Sequence, residues 1–121
     1  MRLLVVDDNP LNLELFEAAL TDDGHQVVVA SDGDAGLARA LAEPFDVVLL
    51  DVELSGRSGL DLCRELRRAG RRSPILAVSA NALPDQVARG LAAGFDAYLT
   101  KPISPQALRA AVRRYVPAAR P

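Results

Sequence analysis

The sequence predicts a single α/β domain with a parallel sheet covered on both faces. Three observations carry this. Short apolar runs of strand length recur along the chain, each followed by a segment with helical spacing. The runs are apolar throughout rather than alternating, the pattern of strands buried on both sides. Proline, glycine and small polar residues stand at the junctions, where helix caps and stops belong.

Taken in order, residues 3–6 form the first strand and lead into Asp7-Asp8. Asn9-Pro10 caps the first helix, whose apolar residues Leu11, Leu15, Phe16, Ala19 and Leu20 precede a stop at Gly24. His25 falls in the turn before the second strand, Val27-Val28-Val29. Asp32-Gly33-Asp34 opens the second helix, which runs through Leu37 and Leu41 and ends near Pro44. The third strand, 46–50, runs into Asp51, and a loop with Gly56 and Gly59 follows. Leu60, Cys63 and Leu66 mark the third helix. Ser73-Pro74 precedes the fourth strand, 75–78, and Pro84 starts a fourth helix with Val87 and Leu91. Ala97-Tyr98-Leu99 is a short fifth strand. Ser104-Pro105 caps a fifth helix with Leu108, Ala111, Val112 and Tyr115 inward. Domain limits of 1–116 leave a short tail, 117–121, expected to fray.

Five strand–helix units with right-handed crossovers give a flavodoxin-like (βα)5 three-layer sandwich. The strand order expected at this size is 2-1-3-4-5, with the topological switch point between strands one and three. Those are the strands that end in Asp7-Asp8 and in Asp51. Open α/β sheets place their sites on that rim.

Composition narrows the function. Of 121 residues half are hydrophobic, enough for a core without staples, and the one cysteine, Cys63, has no partner for an internal disulfide. A net charge of −2 argues against direct, non-specific nucleic-acid binding. No segment reads as a signal peptide or membrane span, so a cytoplasmic protein without membrane insertion is expected. Neither a Walker-type loop nor a G-x-G-x-x-G fingerprint is present.

The rim residues define the chemistry. Three carboxylates close together repel, and a hard divalent cation relieves them; Mg²⁺ suits oxygen ligands and accepts phosphate oxygens as well. Ser79 follows strand four and puts a hydroxyl on the same rim. Lys101-Pro102 follows strand five. A lysine there pairs with an acid or binds an oxyanion, and a cis bond before Pro102 would aim it inward.

In this order, Val6-Asp7-Asp8-Asn9-Pro10, Asp51, Ser79-Ala80 and Tyr98-Leu99-Thr100-Lys101-Pro102 resemble the receiver domain of bacterial two-component response regulators. The resemblance covers essentially the whole chain and is strongest to stand-alone, cell-cycle-type receivers and to those of hybrid kinases. It implies that Asp51 is the phospho-acceptor. Asp7, Asp8, Asp51 and the Glu53 carbonyl would hold Mg²⁺. Ser79 and Lys101 would bind the phosphoryl oxygens, and Tyr98 would act with Ser79 as a switch on the face of helix four, strand five and helix five. A histidine kinase or histidine phosphotransfer protein is then the donor, and a downstream protein the target. No enzyme activity is expected beyond self-catalysed phosphoryl acceptance and loss. Opening at Met1 and closing on a short tail, the chain is read as a stand-alone protein, with the receiver of a hybrid histidine kinase as the alternative.

Two departures from the family pattern stand out. Ser55 replaces the usual proline, from which a looser loop is expected. Glu53 is expected to point to solvent, where it repels anionic donors, steers hydrolytic water or does neither. Other residues read as structural. Cys63 is core, His25 has no phosphotransfer role, and Arg64, Arg67, Arg68, Arg71 and Arg72 form a solvated face. Arg109, Arg113 and Arg114 border the output face. Two further classes compete: an unphosphorylated docking module, and a phosphatase with a transient aspartyl phosphate. The latter needs a cap for which this length leaves no room.

Overall fold

The computed structural model describes residues 1–115, so the tail assigned to 117–121 lies outside the described residues. Five strands and five helices alternate: β1 (Arg2–Val6), α1 (Pro10–Asp22), β2 (Gln26–Ala30), α2 (Gly33–Ala42), β3 (Val47–Asp51), α3 (Gly59–Arg68), β4 (Ile75–Ser79), α4 (Pro84–Ala93), β5 (Ala97–Thr100) and α5 (Pro105–Arg113). The strands form one parallel sheet in the order β2-β1-β3-β4-β5, as the sequence predicts.

The central strands are buried along their length, which explains their uninterrupted apolar runs. Alternate residues serve opposite layers. Leu4, Val6, Val48, Leu50, Ile75 and Ala77 pack with Leu62, Cys63, Leu66 and Phe95 on one face. Leu3, Val5, Val47, Leu49, Leu76 and Val78 pack with Phe16, Leu20, Leu108 and Val112 on the other.

The helix ends follow local chemistry. The Asn9 side chain accepts from the amides of Leu11 and Asn12, with Pro10 in the first turn. Asp32, Ser58 and Ser104 cap α2, α3 and α5 in the same manner. The start of α4 has Pro84 but no side-chain cap bond.

The inward face of α1 differs from the sequence reading. Leu11 and Leu15 are 62% and 56% exposed, and Leu13 is buried with Phe16, Ala19 and Leu20. Apolar residues surround this helix, so spacing alone admits two phases; contact with the sheet selects Leu13, Phe16 and Leu20, a stripe at intervals of three and four. Leu91 and Leu41 are likewise more exposed than expected, and α4 buries Gly90 and Ala93 instead.

The arginine-rich exit of α3 is not wholly a solvated face. Arg64, Arg68 and Arg72 are exposed, but Arg67 donates to the carbonyls of Gly94, Arg71 and Ser73 and to the Asp96 carboxylate. Arg71 donates to the Leu41 carbonyl. A planar guanidinium with five donors satisfies several loop carbonyls together. Arg67→Ala is expected to cost about 2 kcal/mol, because those carbonyls lose a charged donor. A lowered urea midpoint at unchanged slope checks this; Arg68→Ala, on the exposed side, is expected to stay near wild type.

Arg109 and Arg113 turn away from the α4–β5–α5 face, contrary to the sequence reading. Arg109 donates to the Ala19 carbonyl at 3.0 Å and pairs with Asp22, and Arg113 donates to Asp23 at 2.9 Å, which fastens α5 to α1.

Candidate functional site

The site lies where the carboxyl ends of β1 and β3 meet, at the point where the strand order reverses. Asp7 follows β1 directly and Asp51 is the last residue of β3; they are 1% and 3% exposed. Asp8 is half-exposed beside them. One carboxylate oxygen from each of Asp7, Asp8 and Asp51 lies within 4.8 Å of the others.

Lys101, just beyond β5, reaches across β4 into this cluster. Its Nζ is 2.9 Å from Asp51 Oδ2 and 3.2 Å from Asp7 Oδ2. The Lys101–Pro102 peptide bond is cis. Burial pushes the Asp51 carboxyl above its ordinary value; the Lys101 hydrogen bond opposes this and the Asp7 charge adds to it. Burial works against the Lys101 charge, but the hydrogen bonds and charges of Asp51 and Asp7 outweigh it and hold the ammonium above its usual range.

Each acid is held in place by backbone. Asp7 accepts from the Asn9 amide at 2.9 Å and from Asn12 Nδ2 at 3.3 Å. Asp51 Oδ1 accepts from the Glu53 amide at 3.0 Å. Asp8 Oδ2 accepts from both the Ser55 hydroxyl (2.7 Å) and the Ser55 amide (2.9 Å). These two Ser55 bonds hold the Asp8 carboxyl below its ordinary value. Ser55 therefore ties the β3–α3 loop to the site rather than loosening it, correcting the sequence expectation: proline could supply neither donor, serine supplies both.

The β4–α4 loop closes the other side. Ser79, wholly buried, donates to Glu53 Oε2 at 2.6 Å and lies 3.0 Å from the Asn81 carbonyl. Its oxygen accepts from the Asn81 amide at 2.9 Å. The Ala80 amide donates to Glu53 Oε1 at 3.0 Å. Glu53 thus does not simply point to solvent, as expected from sequence; its carboxylate spans from the β3–α3 loop to the end of β4. Tyr98 Oη donates to the Asn81 carbonyl at 2.8 Å, and its half-buried ring lies against Gly90, where an added Cβ would stand 2.8 Å from Tyr98 Cδ2. Asn81, which sequence reasoning passed over, is the common partner of Ser79 and Tyr98. Its signal was its place two residues beyond a serine, where a side-chain hydroxyl bonds a local amide.

The donor set fits a hard divalent cation. Three oxygen ligands with one lysine among them leave an excess of negative charge in a buried setting, and all-oxygen coordination with room for water is what Mg²⁺ requires. Asp7, Asp8 and Asp51 form the only group of three such ligands among the described residues.

Cys63 and His25 stand apart from the site. Cys63 is fully buried, and burial pushes its thiol up to about 11. We expect no measurable reaction with a thiol reagent at pH 8 in the native protein and rapid reaction once urea unfolds it; native-state labelling at the rate of free cysteine would contradict this. Burial pushes the His25 imidazole below its ordinary value. No described helix is long and apolar enough to cross a membrane.

The profile of a response regulator receiver domain matches residues 3–113. Over 113 residues the chain is 42% identical to the transcriptional regulatory protein DltR of Streptococcus agalactiae, covering 93% of this chain and 50% of that one. It is 40% identical to the sensor histidine kinase AruS of Pseudomonas aeruginosa, covering 93% of this chain and 12% of that protein. The chain thus spans half the length of one relative and a small part of the other. Among solved structures, the chemotaxis protein CheY4 of Vibrio cholerae superposes with a TM-score of 0.90 at 29% identity, covering 95% of this chain and 98% of that one.

Proposed function

Because the chain belongs to the response regulator receiver domain family, we propose that it accepts a phosphoryl group on Asp51 and passes the event on as a change in shape. The observation that carries this is the buried Asp51 carboxylate with a lysine ammonium 2.9 Å away and two more acids within reach of a common cation. A phosphohistidine on a histidine kinase or phosphotransfer protein is the donor. An Asp51 oxygen attacks phosphorus and a P–O bond forms. The P–N bond breaks with its electron pair left on the imidazole nitrogen, which takes a proton from water.

Asp7, Asp8, Asp51 and the Glu53 carbonyl would hold Mg²⁺, which would supply neutralisation of the phosphoryl oxygens. Lys101 holds the Asp51 carboxylate in line before reaction and turns its charge to the phosphoryl group after it. Ser79 offers its hydroxyl to a third oxygen. Phosphorylation adds roughly −1.5 to −2 charges at one point and so favours any loop position that brings Ser79 and Lys101 nearer. The chain Ser79–Asn81–Tyr98 carries that preference to the face of α4, β5 and α5, where a downstream protein binds.

An apolar groove of about 370 Å³ between α1 and α5 supports a docking place for the donor. Its walls include Leu15, Phe16, Ile103 and Leu108, and Lys101 and Ala80 stand at the edge of the phosphoryl site. A second reading, as the receiver of a hybrid kinase, is favoured by the likeness to AruS; it uses the same Asp51 chemistry with a different neighbour. The unphosphorylated docking module has no comparable support, since it makes no use of the paired Lys101 and Asp51.

Incubation with acetyl phosphate and Mg²⁺, followed by intact mass, tests the reading. One hydroxylamine-labile phosphoryl group per chain supports it. None, with a phosphohistidine donor also tried, sinks it.

A further inference from the structure

We infer that the Glu53 carboxylate is a built-in, displaceable stand-in for the phosphoryl group: it occupies the Ser79 hydroxyl and the Ala80 amide until a phosphoryl group on Asp51 expels it. The inference rests on the phospho-acceptor reading of Asp51 and adds a regulator to that site.

The geometry is specific. Two donors at the end of β4, one hydroxyl and one backbone amide, converge on the two oxygens of one carboxylate, at 2.6 and 3.0 Å. Such a fork also grips a phosphoryl oxyanion, and both groups present ionised oxygens to the same donors. Glu53 stands two residues beyond Asp51, and its amide bonds Asp51 Oδ1. The residue that holds these two donors is thus anchored through its own backbone to the acceptor carboxylate. Because it is on an exposed loop, its carboxylate can leave for water without unpacking the core.

Ser79 settles the competition inside the loop. Its hydroxyl has one proton and two acceptors, Glu53 Oε2 at 2.6 Å and the Asn81 carbonyl at 3.0 Å. The charged and shorter partner wins. The Asn81 carbonyl is then left to Tyr98 Oη. A carboxylate two residues beyond the acceptor thus fixes the hydrogen bonds of the Tyr98 switch while Asp51 carries nothing.

A ligand that must expel an internal occupant binds in proportion to the fraction of molecules in which the site is open. The phosphoryl site of this chain is accordingly weaker than its ligands alone would make it. Simple repulsion between Glu53 and an anion predicts the same weakening, so the test must separate reach from charge.

Glu53→Asp keeps the charge and shortens the arm by one carbon, too short to hold Ser79 and Ala80 together. Glu53→Ala removes both charge and reach. Neither touches the Glu53 carbonyl or the Asp51 ligands. Beryllofluoride with Mg²⁺ serves as the phosphoryl analogue, titrated by calorimetry. In parallel, the Ala80 amide proton is followed by NMR without the analogue. The expected result is a roughly tenfold gain in beryllofluoride affinity in both variants. The free Ala80 amide shifts upfield in both and returns when beryllofluoride binds. Wild-type affinity in Glu53→Asp with tighter binding in Glu53→Ala would reduce the effect to charge and overturn the inference. Unchanged affinity in both variants, with wild type binding normally, would overturn it and leave the Asp51 reading intact. No binding by any of the three proteins would take the Asp51 reading down as well.

Discussion

Asp51→Asn is expected to take no label at all from acetyl phosphate under conditions in which wild type gains one hydroxylamine-labile phosphoryl group. An amide nitrogen or carbonyl of asparagine is a poor nucleophile toward phosphorus, and of the three acids only Asp51 has the Lys101 ammonium at 2.9 Å, with Asp7 at 3.2 Å and Asp8 turned to Ser55. Chelating Mg²⁺ with EDTA should suppress wild-type labelling without unfolding the chain. Residual label in the variant at the wild-type rate would move the acceptor elsewhere.

The same substitution has an expected signature in stability that does not depend on any phosphodonor. Burial raises the Asp51 carboxyl in the folded state above 3.8, its value in an exposed chain. The folded state then holds the proton more tightly than the unfolded one, so stability falls as pH rises through the window between the two values. Asp51→Asn removes this loss. Without Mg²⁺, its urea midpoint should therefore exceed that of wild type at pH 7 and converge with it as the pH falls to that of the exposed carboxyl. A lower midpoint for the variant at pH 7 would mean that the Lys101 bond outweighs burial.

Gly59→Ala carries the largest expected cost to the fold. An added Cβ would lie 2.3 Å from the Asp51 carbonyl oxygen and 2.8 Å from Val52 Cα. Both are backbone atoms at the end of β3, and no rotamer change can move them aside. Either α3 backs away from the sheet, breaking the Gly59 amide bond to the Val52 carbonyl, or the strand end bends. We expect a loss of about 3 kcal/mol, the upper range for overpacking, seen as a lower urea midpoint. Because the strand end carries Asp51, phosphoryl transfer should slow as well, by as much as about 10²-fold for a displacement near 1 Å. A change below about 0.5 kcal/mol, the size of an ordinary surface substitution, would show that α3 shifts freely.

How far the sequence could be read depends on the kind of signal. Strand ends were legible because β1, β3 and β4 are apolar to the last residue before a polar one; Asp51 and Ser79 mark their own positions. Parallel topology then brings Asp7, Asp8, Asp51, Ser79 and Lys101 to one rim without any further information. Helix phase was less legible. In α1 Leu11 and Leu15 and the series Leu13, Phe16, Leu20 all fall at helical spacing, and only the sheet distinguishes them. Side-chain direction in loops was not legible at all. Glu53 and Ser55 looked like departures from a pattern, one pointing to solvent and one loosening the loop. In the structure each finds a partner from a distant segment: Ser79 and Ala80 for one, Asp8 for the other. Long cationic side chains mislead for the same reason. Arg67 read as part of a solvated face and Arg109 as a border of the output face, but backbone carbonyls within their reach fix them.

The bonds between α5 and α1 have a mechanical consequence. Arg109 and Arg113 fasten α5 to the end of α1, and Leu108 and Val112 sink into the core. On the other flank α4 buries only Gly90 and Ala93, and its first turn lacks a side-chain cap bond. One jaw of the vice around β5 is therefore bolted to the frame, and the other rests on two small residues. If Tyr98 moves between them as proposed, the work would fall on α4, which is held less firmly. A partner that gripped both helices would then feel a change in spacing measured against a fixed post.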